Sequence, residues 1–280
     1  MKFIDLFCGM GSFHFAMKQL SSENECVMAC DIDDRCRETY ERNYGIKPLG
    51  DIKLIRDASE CDVLFAGFPC VSFSRMGKQM GLKDVRGQLI FDVLRLVKKS
   101  NPKFVVLENV KDIFKYTDMI NLMRREFLLM DYSFEYKLMN CWEFGIPQNR
   151  QRVFFVATKR FTPLYVFPKP VPNPQSLSAF LGKPFVRERI LTIRSKGYYS
   201  KIDDRHNFAN YELDCGAVHQ LTEEELLMFQ GFPRDFFVAG IKKERFCQIG
   251  NTIPTCLSIA ICSNLLNSHH TTTSPSGAHR

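Results

Sequence analysis

The chain has 280 residues, of which 45% are hydrophobic and 25% are charged. These ordinary values argue against a disordered chain, a collagen-like fibre or a disulfide miniprotein. The 38 Lys and Arg residues exceed the 31 Asp and Glu residues, which gives a formal net charge of +7. That excess suits a polyanionic partner, although a merely basic globular protein is about as common an explanation.

Hydrophobic patterning predicts neither a membrane span nor a secretion signal. No stretch approaches the ~18 consecutive apolar residues that a span requires, and residues 1–7 lack a long apolar run. The eleven cysteines are an odd number, and none forms a CxxC pair. We therefore expect buried thiols in a reducing compartment, no membrane association and no metal site.

The first 160 residues alternate between short apolar runs and helical periodicity. The apolar runs predict strands over 2–7, 25–31, 63–66, 104–107 and 152–157. The periodic segments predict helices around 15–20 and over 33–44, 88–99 and 119–130. Continuous apolar strands separated by helices predict an α/β fold, with a parallel sheet covered on both faces.

The composition changes after residue 160. Five prolines fall between 161 and 174, which predicts an extended linker because proline interrupts helices. Residues 175–217 are polar and rich in Arg and Lys, which indicates a small loop-rich lobe. Helices are predicted again over 222–230, where Thr222 and Glu225 have the capping-box spacing, and over 254–266. A disordered tail is expected over 268–280.

Polar and glycine-containing turns follow several predicted strands. In an open α/β sheet, ligands bind outside the carboxyl ends of the strands. The turn Gly9-Met10-Gly11 lacks the third glycine of a dinucleotide motif, which disfavours NAD. Asp31 ends the second strand, where a carboxylate can accept hydrogen bonds from ribose hydroxyls. S-adenosylmethionine, a nucleoside without phosphates, fits best, and a glycine turn without a ligand remains the alternative.

Seven motifs occur in a distinctive order along the chain. They are Asp5-Leu6-Phe7-Cys8-Gly9-Met10-Gly11, Gly67-Phe68-Pro69-Cys70-Val71-Ser72-Phe73-Ser74, Asp84-x-Arg86-Gly87-x-Leu89, Glu108-Asn109-Val110, Gln148-x-Arg150-x-Arg152, Leu221-Thr222-x3-Leu226-x3-Gln230-Gly231-Phe232-Pro233 and Gln248-Ile249-Gly250-Asn251-Thr252. The set resembles that of the DNA cytosine-5 methyltransferases, over about residues 1–160 and 218–266. The resemblance implies a Rossmann-like S-adenosylmethionine-dependent methyltransferase sheet over 1–160 and 218–267. It also implies a short, loop-rich target-recognition lobe over 161–217.

The resemblance implies four catalytic residues. Methylation at carbon 5 of cytosine requires covalent catalysis, because that carbon is a weak nucleophile. Cys70 would add to C6, and Glu108 would give N3 a proton or a strong hydrogen bond if burial raised its pKa. Arg152 would hydrogen-bond the base O2, and Arg150 would position the loop or the base. The alternation of Gln148, Arg150 and Arg152 is expected to place all three side chains on one face.

The resemblance also implies a set of cofactor contacts. Phe7 would stack on adenine, Asp31 would bind the ribose and Asp51 would bind the adenine amino group. The full set is Phe7, Gly9, Met10, Gly11, Asp31, Ile32, Asp51, Ile52, Pro69, Leu89, Asn251 and Thr252. Ser12 replaces the second glycine usual in the family, and Asp31 stands where glutamate is most common. We expect modestly altered cofactor affinity from these departures rather than loss.

A cytosine inside a duplex is unreachable, so the target base must be flipped out. Arg152 and Leu221 are separated by 221 − 152 = 69 positions, which is short for the family and predicts a short recognition sequence. The expected DNA contacts are Ser72, Ser74, Thr192, Arg194, Lys196, Lys201 and Arg205. For the charged members, an ordinary solvated surface charge is about as common an explanation. His219 stands where the family often has arginine.

Two other functions stay open. A tRNA cytosine-5 methyltransferase of the same fold would typically carry a Cys-Phe-Thr tripeptide and a Pro-Pro-Cys loop, and neither occurs in this sequence. A non-catalytic regulator would be expected to lose Cys70, Glu108 or Arg152, and all three are present. We expect a cytoplasmic monomer of bacterial or phage type (nuclear in a eukaryote) that acts on double-stranded DNA. A cognate restriction endonuclease is a further candidate partner.

Overall fold

The computed structural model of the chain describes residues 1–69 and 89–270. The predicted nucleophile Cys70 and the predicted DNA contacts Ser72 and Ser74 lie outside the described residues. Within the described ranges the fold is mixed α/β, with helices packed on both faces of a central sheet. The predicted α/β class is therefore confirmed.

The strands and helices are numbered in chain order. The strands of the described ranges are β1 (Lys2–Leu6), β2 (Glu25–Cys30), β3 (Val63–Ala66), β4 (Phe104–Val110), β5 (Tyr132–Asn140), β6 (Gln148–Asn149), β7 (Gln151–Lys159), β8 (Ile190–Leu191), β9 (Asn210–Glu212) and β10 (Val218–Gln220). The α-helices are α1 (Ser12–Leu20), α2 (Asp34–Tyr44), α3 (Leu89–Ser100), α4 (Thr117–Leu129), α5 (Leu177–Leu181), α6 (Glu223–Phe229), α7 (Lys242–Asn251) and α8 (Thr255–His270). Short 3-10 turns lie at Ile52–Leu54, Lys111–Lys115 and Cys141–Phe144.

Six strands form the central sheet in the order β2-β1-β3-β4-β7-β5. β1 pairs in parallel with β2 and β3, and β3 pairs in parallel with β4. β7 runs antiparallel to both β4 and β5, so the prediction of a parallel sheet holds for four strands and is wrong for β7. The reversal follows from the short connection between β5 and β7, because a parallel pair needs a crossover of a dozen residues or more.

Different helices cover the two faces of the sheet, because successive side chains of a strand point to opposite faces. In β3, Leu64 and Ala66 pack in a cluster with residues of α3 and α4. Val63 and Phe65 pack on the other face, in a cluster with residues of α1 and α8. All four side chains are completely buried, which explains the continuous apolar run of this strand.

Helices α1 and α8 lie side by side, although they are distant in sequence. The hydroxyls of Ser12 and Ser258 are 2.8 Å apart and buried between the two helices. Helix α8 continues to His270, past the predicted end at 266. Residues 268–270 of the predicted disordered tail are therefore helical.

The small lobe shares its core with helices that follow it in the chain. Leu177, Phe185 and Ile193 of the lobe pack in one apolar cluster with Leu226 of α6 and Ile249 of α7. β9 pairs with β10, which lies across the predicted boundary at 217. The proline-rich segment 161–174 contains no helix or strand, in agreement with its composition.

Helix α6 begins with the predicted capping box. The Glu225 N–H donates to Thr222 Oγ1 at 3.1 Å, and the Thr222 N–H donates to Glu225 Oε2 at 2.9 Å. Both bonds satisfy N–H groups that would otherwise lack a partner in the first turn of the helix.

Gly11 is a position where we expect substitution to be costly. Its φ is +78°, and a Cβ there would overlap the ring of Tyr44. We expect Gly11→Ala to lower the free energy of unfolding by about 2–5 kcal/mol, because left-handed backbone strain adds to overpacking. Gly45→Ala is the matched control, since φ is +70° but its Cβ would meet no atom within 4 Å. Urea denaturation should show a clearly smaller loss for the control, and equal losses would contradict the overlap.

Candidate active site

A cavity of about 570 Å³ opens where β1, β2, β3 and β4 end. Its volume lies within the usual range for small-molecule sites. It is lined by Asp5, Phe7, Cys8, Gly9, Met10, Ser12, Phe13, Asp31, Ile32, Asp33, Cys36, Gly67, Phe68, Pro69, Glu108, Asn109, Val110, Asp112, Arg152, Gln248, Gly250, Asn251, Thr252 and Ile253. The strand-end turns identified in the sequence therefore surround one space, together with a wall from α7 and the residues after it.

The turn after β1 is held by bonds from two neighbouring segments. Phe7 and Gly9 have φ values of +54° and +52°, so the backbone turns sharply as it leaves the strand. The Gly9 N–H donates to Asp31 Oδ2 at 2.8 Å. The Tyr44 hydroxyl donates to the carbonyls of Met10 and Gly11, each at 3.0 Å. The turn is thus fixed to the end of β2 and to α2.

Asp31 is positioned to accept further hydrogen bonds. Its two oxygens take the N–H groups of Gly9 and Asp33, at 2.8 and 2.9 Å, and each oxygen keeps a second lone pair. Burial raises the pKa of Asp31, while the two backbone N–H groups act in the opposite direction. The neighbouring Ile32 side chain is 73% exposed and lines the same cavity. A carboxylate beside apolar surface is a suitable arrangement for a nucleoside.

Four of the twelve expected cofactor contacts do not line this cavity. Gly11 caps α1 and packs against Tyr44. Asp51 caps a 3-10 turn, where its Oδ1 accepts the Lys53 N–H, and Ile52 is buried in the core. Leu89 begins α3 and packs against the core from its edge. The other eight expected contacts lie on the cavity wall.

Glu108 and Arg152 form an ion pair on the cavity wall. They come from the antiparallel neighbours β4 and β7, and Arg152 Nε lies 2.9 Å from Glu108 Oε1. Only 9% of the Glu108 side chain and 12% of the Arg152 side chain are exposed. Burial raises the pKa of the Glu108 carboxyl, whereas Arg152 and then Arg150 oppose that rise. A carboxyl in such surroundings can hold a proton at higher pH than a surface glutamate.

Arg150 does not share the cavity with Arg152. β6 ends at Asn149 and β7 begins at Gln151, so the strand alternation is interrupted at Arg150. Its guanidinium is fully buried and donates to the carbonyls of Ile193 at 2.5 Å, Gly250 at 2.9 Å and Thr252 at 2.7 Å. Burial and the neighbouring Arg152 lower the pKa of Arg150. Gln148 and Arg150 both bond the backbone of Ile193, whereas Arg152 lines the cavity. Direct contact of Arg150 with a base in this cavity is therefore not supported.

The chain is similar in sequence to known methyltransferases. The family model for C-5 cytosine-specific DNA methylases matches residues 1–188. The chain belongs to this family. The type II methyltransferase M.HpaII of Haemophilus parainfluenzae is 37% identical over 265 residues, which cover 90% of this chain and 70% of the relative. M.DsaV of Dactylococcopsis salina is 30% identical over 304 residues, covering 95% and 86%. M.HhaI of Haemophilus parahaemolyticus is 38% identical over 176 residues, covering 61% and 53%.

Solved structures support the fold of this methyltransferase. A Dnmt2 methyltransferase of S. pombe superposes with a TM-score of 0.77 at 17% identity, covering 95% of this chain and 98% of that one. A putative DNA modification methyltransferase encoded within an E. coli prophage superposes with a TM-score of 0.74 at 21% identity, covering 96% and 99%. The predicted Rossmann-like methyltransferase fold is confirmed, and the chain is an enzyme of the DNA cytosine-5 methyltransferase class.

Several cavity residues of this methyltransferase were not expected from the sequence. Asn109 is buried, and its Nδ2 donates to the Phe68 carbonyl at 3.1 Å, which joins the end of β4 to the segment leading into Cys70. Gln248 donates to Ala239 O and accepts from the Thr39 hydroxyl. Both residues stand inside motifs of the sequence, which was the available signal, but their partners Phe68 and Thr39 are 41 and 209 positions away.

The expected DNA contacts of the lobe lie at its surface or at its junction with β6. Arg194, Lys196, Lys201 and Arg205 are exposed, and Arg194 donates to the carbonyl of Arg205 at 3.1 Å. The Thr192 hydroxyl donates to the Asn149 carbonyl at 2.6 Å. His219 Nε2 contacts Glu225 Oε2 at 2.8 Å, so the His219 side chain lies against the first turn of α6.

Neither a metal-binding cluster nor a single membrane-spanning helix occurs among the described residues. Among residues 1–69 and 89–270, no group of three or more His, Cys, Asp or Glu side chains could hold a metal ion. Across the same ranges, no single helix has the length and apolar character of a membrane span. One bent pair, α7 with Thr255–Ser268, meets those two criteria by length and composition alone.

Proposed function

We propose that this methyltransferase moves a methyl group from S-adenosylmethionine to carbon 5 of a cytosine flipped out of double-stranded DNA. The observation that carries the proposal is the buried pair of Glu108 and Arg152 on the wall of the cavity that Asp31 also lines. An acid that can protonate a pyrimidine and a carboxylate that can hold a ribose thus face one space. Pro69, which directly precedes Cys70, lies on the same wall.

The cavity residues fit S-adenosylmethionine. Asp31 offers lone pairs for the ribose hydroxyls, and Phe7 and Ile32 offer apolar surface for the adenine. Gly9, Met10, Pro69, Asn251 and Thr252 would hold the remainder, since all five line the cavity. When bound, the cofactor supplies an electrophilic methyl group on a sulfonium. Enclosure of this methyl group by the cavity walls would favour reaction, because it excludes competing water.

The chain's own residues would act on the cytosine in successive steps. The Cys70 thiolate adds to C6, and N3 takes a proton from Glu108, which makes C5 an enamine carbon. C5 would then be able to accept the methyl group that the bound cofactor supplies. The C5 proton is lost to a base, the C6–S bond breaks, and Cys70 leaves as a thiolate while Glu108 recovers the N3 proton. The product is 5-methylcytosine, and both side chains return to their starting state.

Arg152 would fix the base and the acid together. Its Nε is committed to Glu108, and its Nη1 donates to the carbonyl of Gln151 at 2.8 Å. The guanidinium has five N–H donors in a rigid plane, and the cytosine O2 is proposed to accept from one of them. Arg152 is therefore proposed to orient the pyrimidine so that its N3 faces Glu108.

Methylation sequencing provides the test of the proposed function. The chain would be expressed in a bacterial host that lacks cytosine-5 methylation, and genomic DNA and total tRNA would be analysed. We expect 5-methylcytosine in DNA at one short sequence. Methylation of tRNA without DNA would favour the RNA alternative, and no methylation of either by a folded, cofactor-binding chain would favour a regulator. A monomeric state and a partner endonuclease stay predictions.

The exposed lysines of the lobe are expected to bind phosphates. Each phosphate contact releases counterions, so the logarithm of DNA affinity should fall with the logarithm of salt concentration. Lys196→Ala and Lys201→Ala should each reduce the magnitude of that slope by about one. Lys98→Ala, an exposed lysine of α3, is the matched control and should leave the slope unchanged. A slope identical in the lobe variants and the wild type would refute these two contacts.

A further inference from the structure

The backbone N–H and the backbone carbonyl of Ile193 are both held by side chains of the Gln148–Arg150 segment. The Ile193 N–H donates to Gln148 Oε1 at 3.2 Å, and the Ile193 carbonyl accepts from Arg150 Nη1 at 2.5 Å. Ile193 itself is buried. β8 also pairs with β6, so this part of the lobe is fixed to the catalytic part at several adjacent points.

The other end of the Arg150 guanidinium holds the cofactor wall. Nη2 donates to the carbonyls of Gly250 and Thr252, at 2.9 and 2.7 Å, and both residues line the cavity. One fully buried cation therefore bonds the lobe and the cofactor wall at once. Both contacts use backbone carbonyls, so they hold the path of the chain at these positions.

The lobe and the wall also touch directly at Gly250. A Cβ on Gly250 would overlap the backbone of Arg194 and Ser195, so the two segments approach as closely as a glycine permits. The clamped Ile193 lies between two of the expected DNA contacts, Thr192 and Arg194. A displacement of Gly250 would be transmitted to these neighbours through contacts without spare room.

We propose that Arg150 is a positioning residue that couples cofactor binding to DNA binding, by holding Ile193 of the lobe and Gly250 and Thr252 of the cofactor wall in one arrangement. The proposal rests on the proposed function and adds a regulatory property to its site. A cofactor seated against Asn251 and Thr252 would order the wall, and through Arg150 it would order the lobe segment that meets DNA. Such coupling is reciprocal, so DNA must strengthen cofactor binding by the same factor.

The experiment measures this factor directly. Duplex DNA that contains the sequence the enzyme methylates is titrated with the full chain, both with and without saturating S-adenosylhomocysteine. This compound binds in the cofactor's place without turnover. The ratio of the two dissociation constants is the coupling factor. For the wild type we expect a value of about 5–150. For Arg150→Lys we expect a value near one, because a lysine point charge cannot span the three carbonyls as the guanidinium does.

A second variant tests the same coupling from the other side. Gly250→Ala leaves Arg150 intact but forces the wall and the lobe apart, so its coupling factor should also fall. Arg245→Lys is the matched control. Arg245 bonds Glu223 and the carbonyl of Gly240, and it bonds no residue of the lobe. Whatever its effect on the melting temperature, the coupling factor should equal that of the wild type.

The outcomes separate this proposal from the proposed function. The coupling would be overturned if the wild type had a coupling factor of one. It would also be overturned if folded Arg150→Lys had the same factor as the wild type, even with DNA methylation intact. If Arg150→Lys does not fold, a coupling factor in Gly250→Ala equal to that of the wild type would also overturn the coupling. Absence of methyl transfer by the wild type to any cytosine in DNA would overturn the proposed function itself.

Discussion

Cys70→Ser is expected to abolish methyl transfer, with a loss of about 10⁴-fold or more in kcat, as is usual when a covalent nucleophile is removed. A serine hydroxyl stays protonated near neutral pH and adds poorly to C6, whereas a thiolate is an effective nucleophile. Cofactor binding should persist, because Asp31, Ile32 and the turn after β1 are unaffected. Methyl transfer from labelled S-adenosylmethionine to duplex DNA provides the measurement.

A trapping experiment makes this assignment specific. DNA with 5-fluorocytosine at the target position should form a stable covalent complex with the wild type, because fluorine cannot leave C5 as a proton does. Cys70→Ser should form none. Cys215→Ser, which removes an exposed free thiol, is the control and should still be trapped. Retained activity in Cys70→Ser, or trapping through another residue, would refute Cys70 as the nucleophile.

Glu108→Gln is expected to lower kcat by about 10²–10⁴-fold, the usual contribution of a general acid. The amide preserves the size of the side chain and can donate a hydrogen bond to N3, but it cannot transfer a proton. Glu135→Gln, at an exposed position of the edge strand β5, is the control and should retain wild-type activity. An unchanged kcat in Glu108→Gln would exclude proton transfer by this carboxyl.

The pH profile gives a second reading of the same group. Burial raises the pKa of Glu108, and the acid form is the one required, so kcat should fall as pH rises through that pKa. Glu108→Gln should lack this decline. The stability of the fold should behave similarly, because a carboxyl with a raised pKa in the folded state disfavours folding once it ionises. The wild type should therefore lose stability relative to Glu108→Gln as pH rises.

The sequence predicted the first four strands because each is a fully or largely buried apolar run. It did not predict β5, where Glu135 and Tyr136 are exposed. An edge strand has a neighbour on only one side and commonly carries charges, so its pattern is weak. The antiparallel direction of β7 depends on that missed strand. Local periodicity thus identified the buried centre of the sheet better than its border.

The candidate site, too, could be predicted from the sequence only in part. Asp31, Glu108 and Arg152 were predicted from strand ends, and all three line the cavity. The burial of Arg150 could not be predicted, because its partners Ile193 and Gly250 are 43 and 100 positions away. An arginine is ordinarily assigned to the surface. Only the tertiary structure brings together the carbonyls that make its burial favourable.

The cavity draws its walls from segments more than 200 positions apart, since Phe7 and Asp31 face Gln248 and Thr252. During translation the ribosome releases the sheet-forming strands long before α7. A growing polypeptide can therefore assemble its sheet while its cofactor cavity still lacks one side. The cavity is complete only when the late segment docks against the early one, which requires Ile253, the last lining residue, to have left the ribosome.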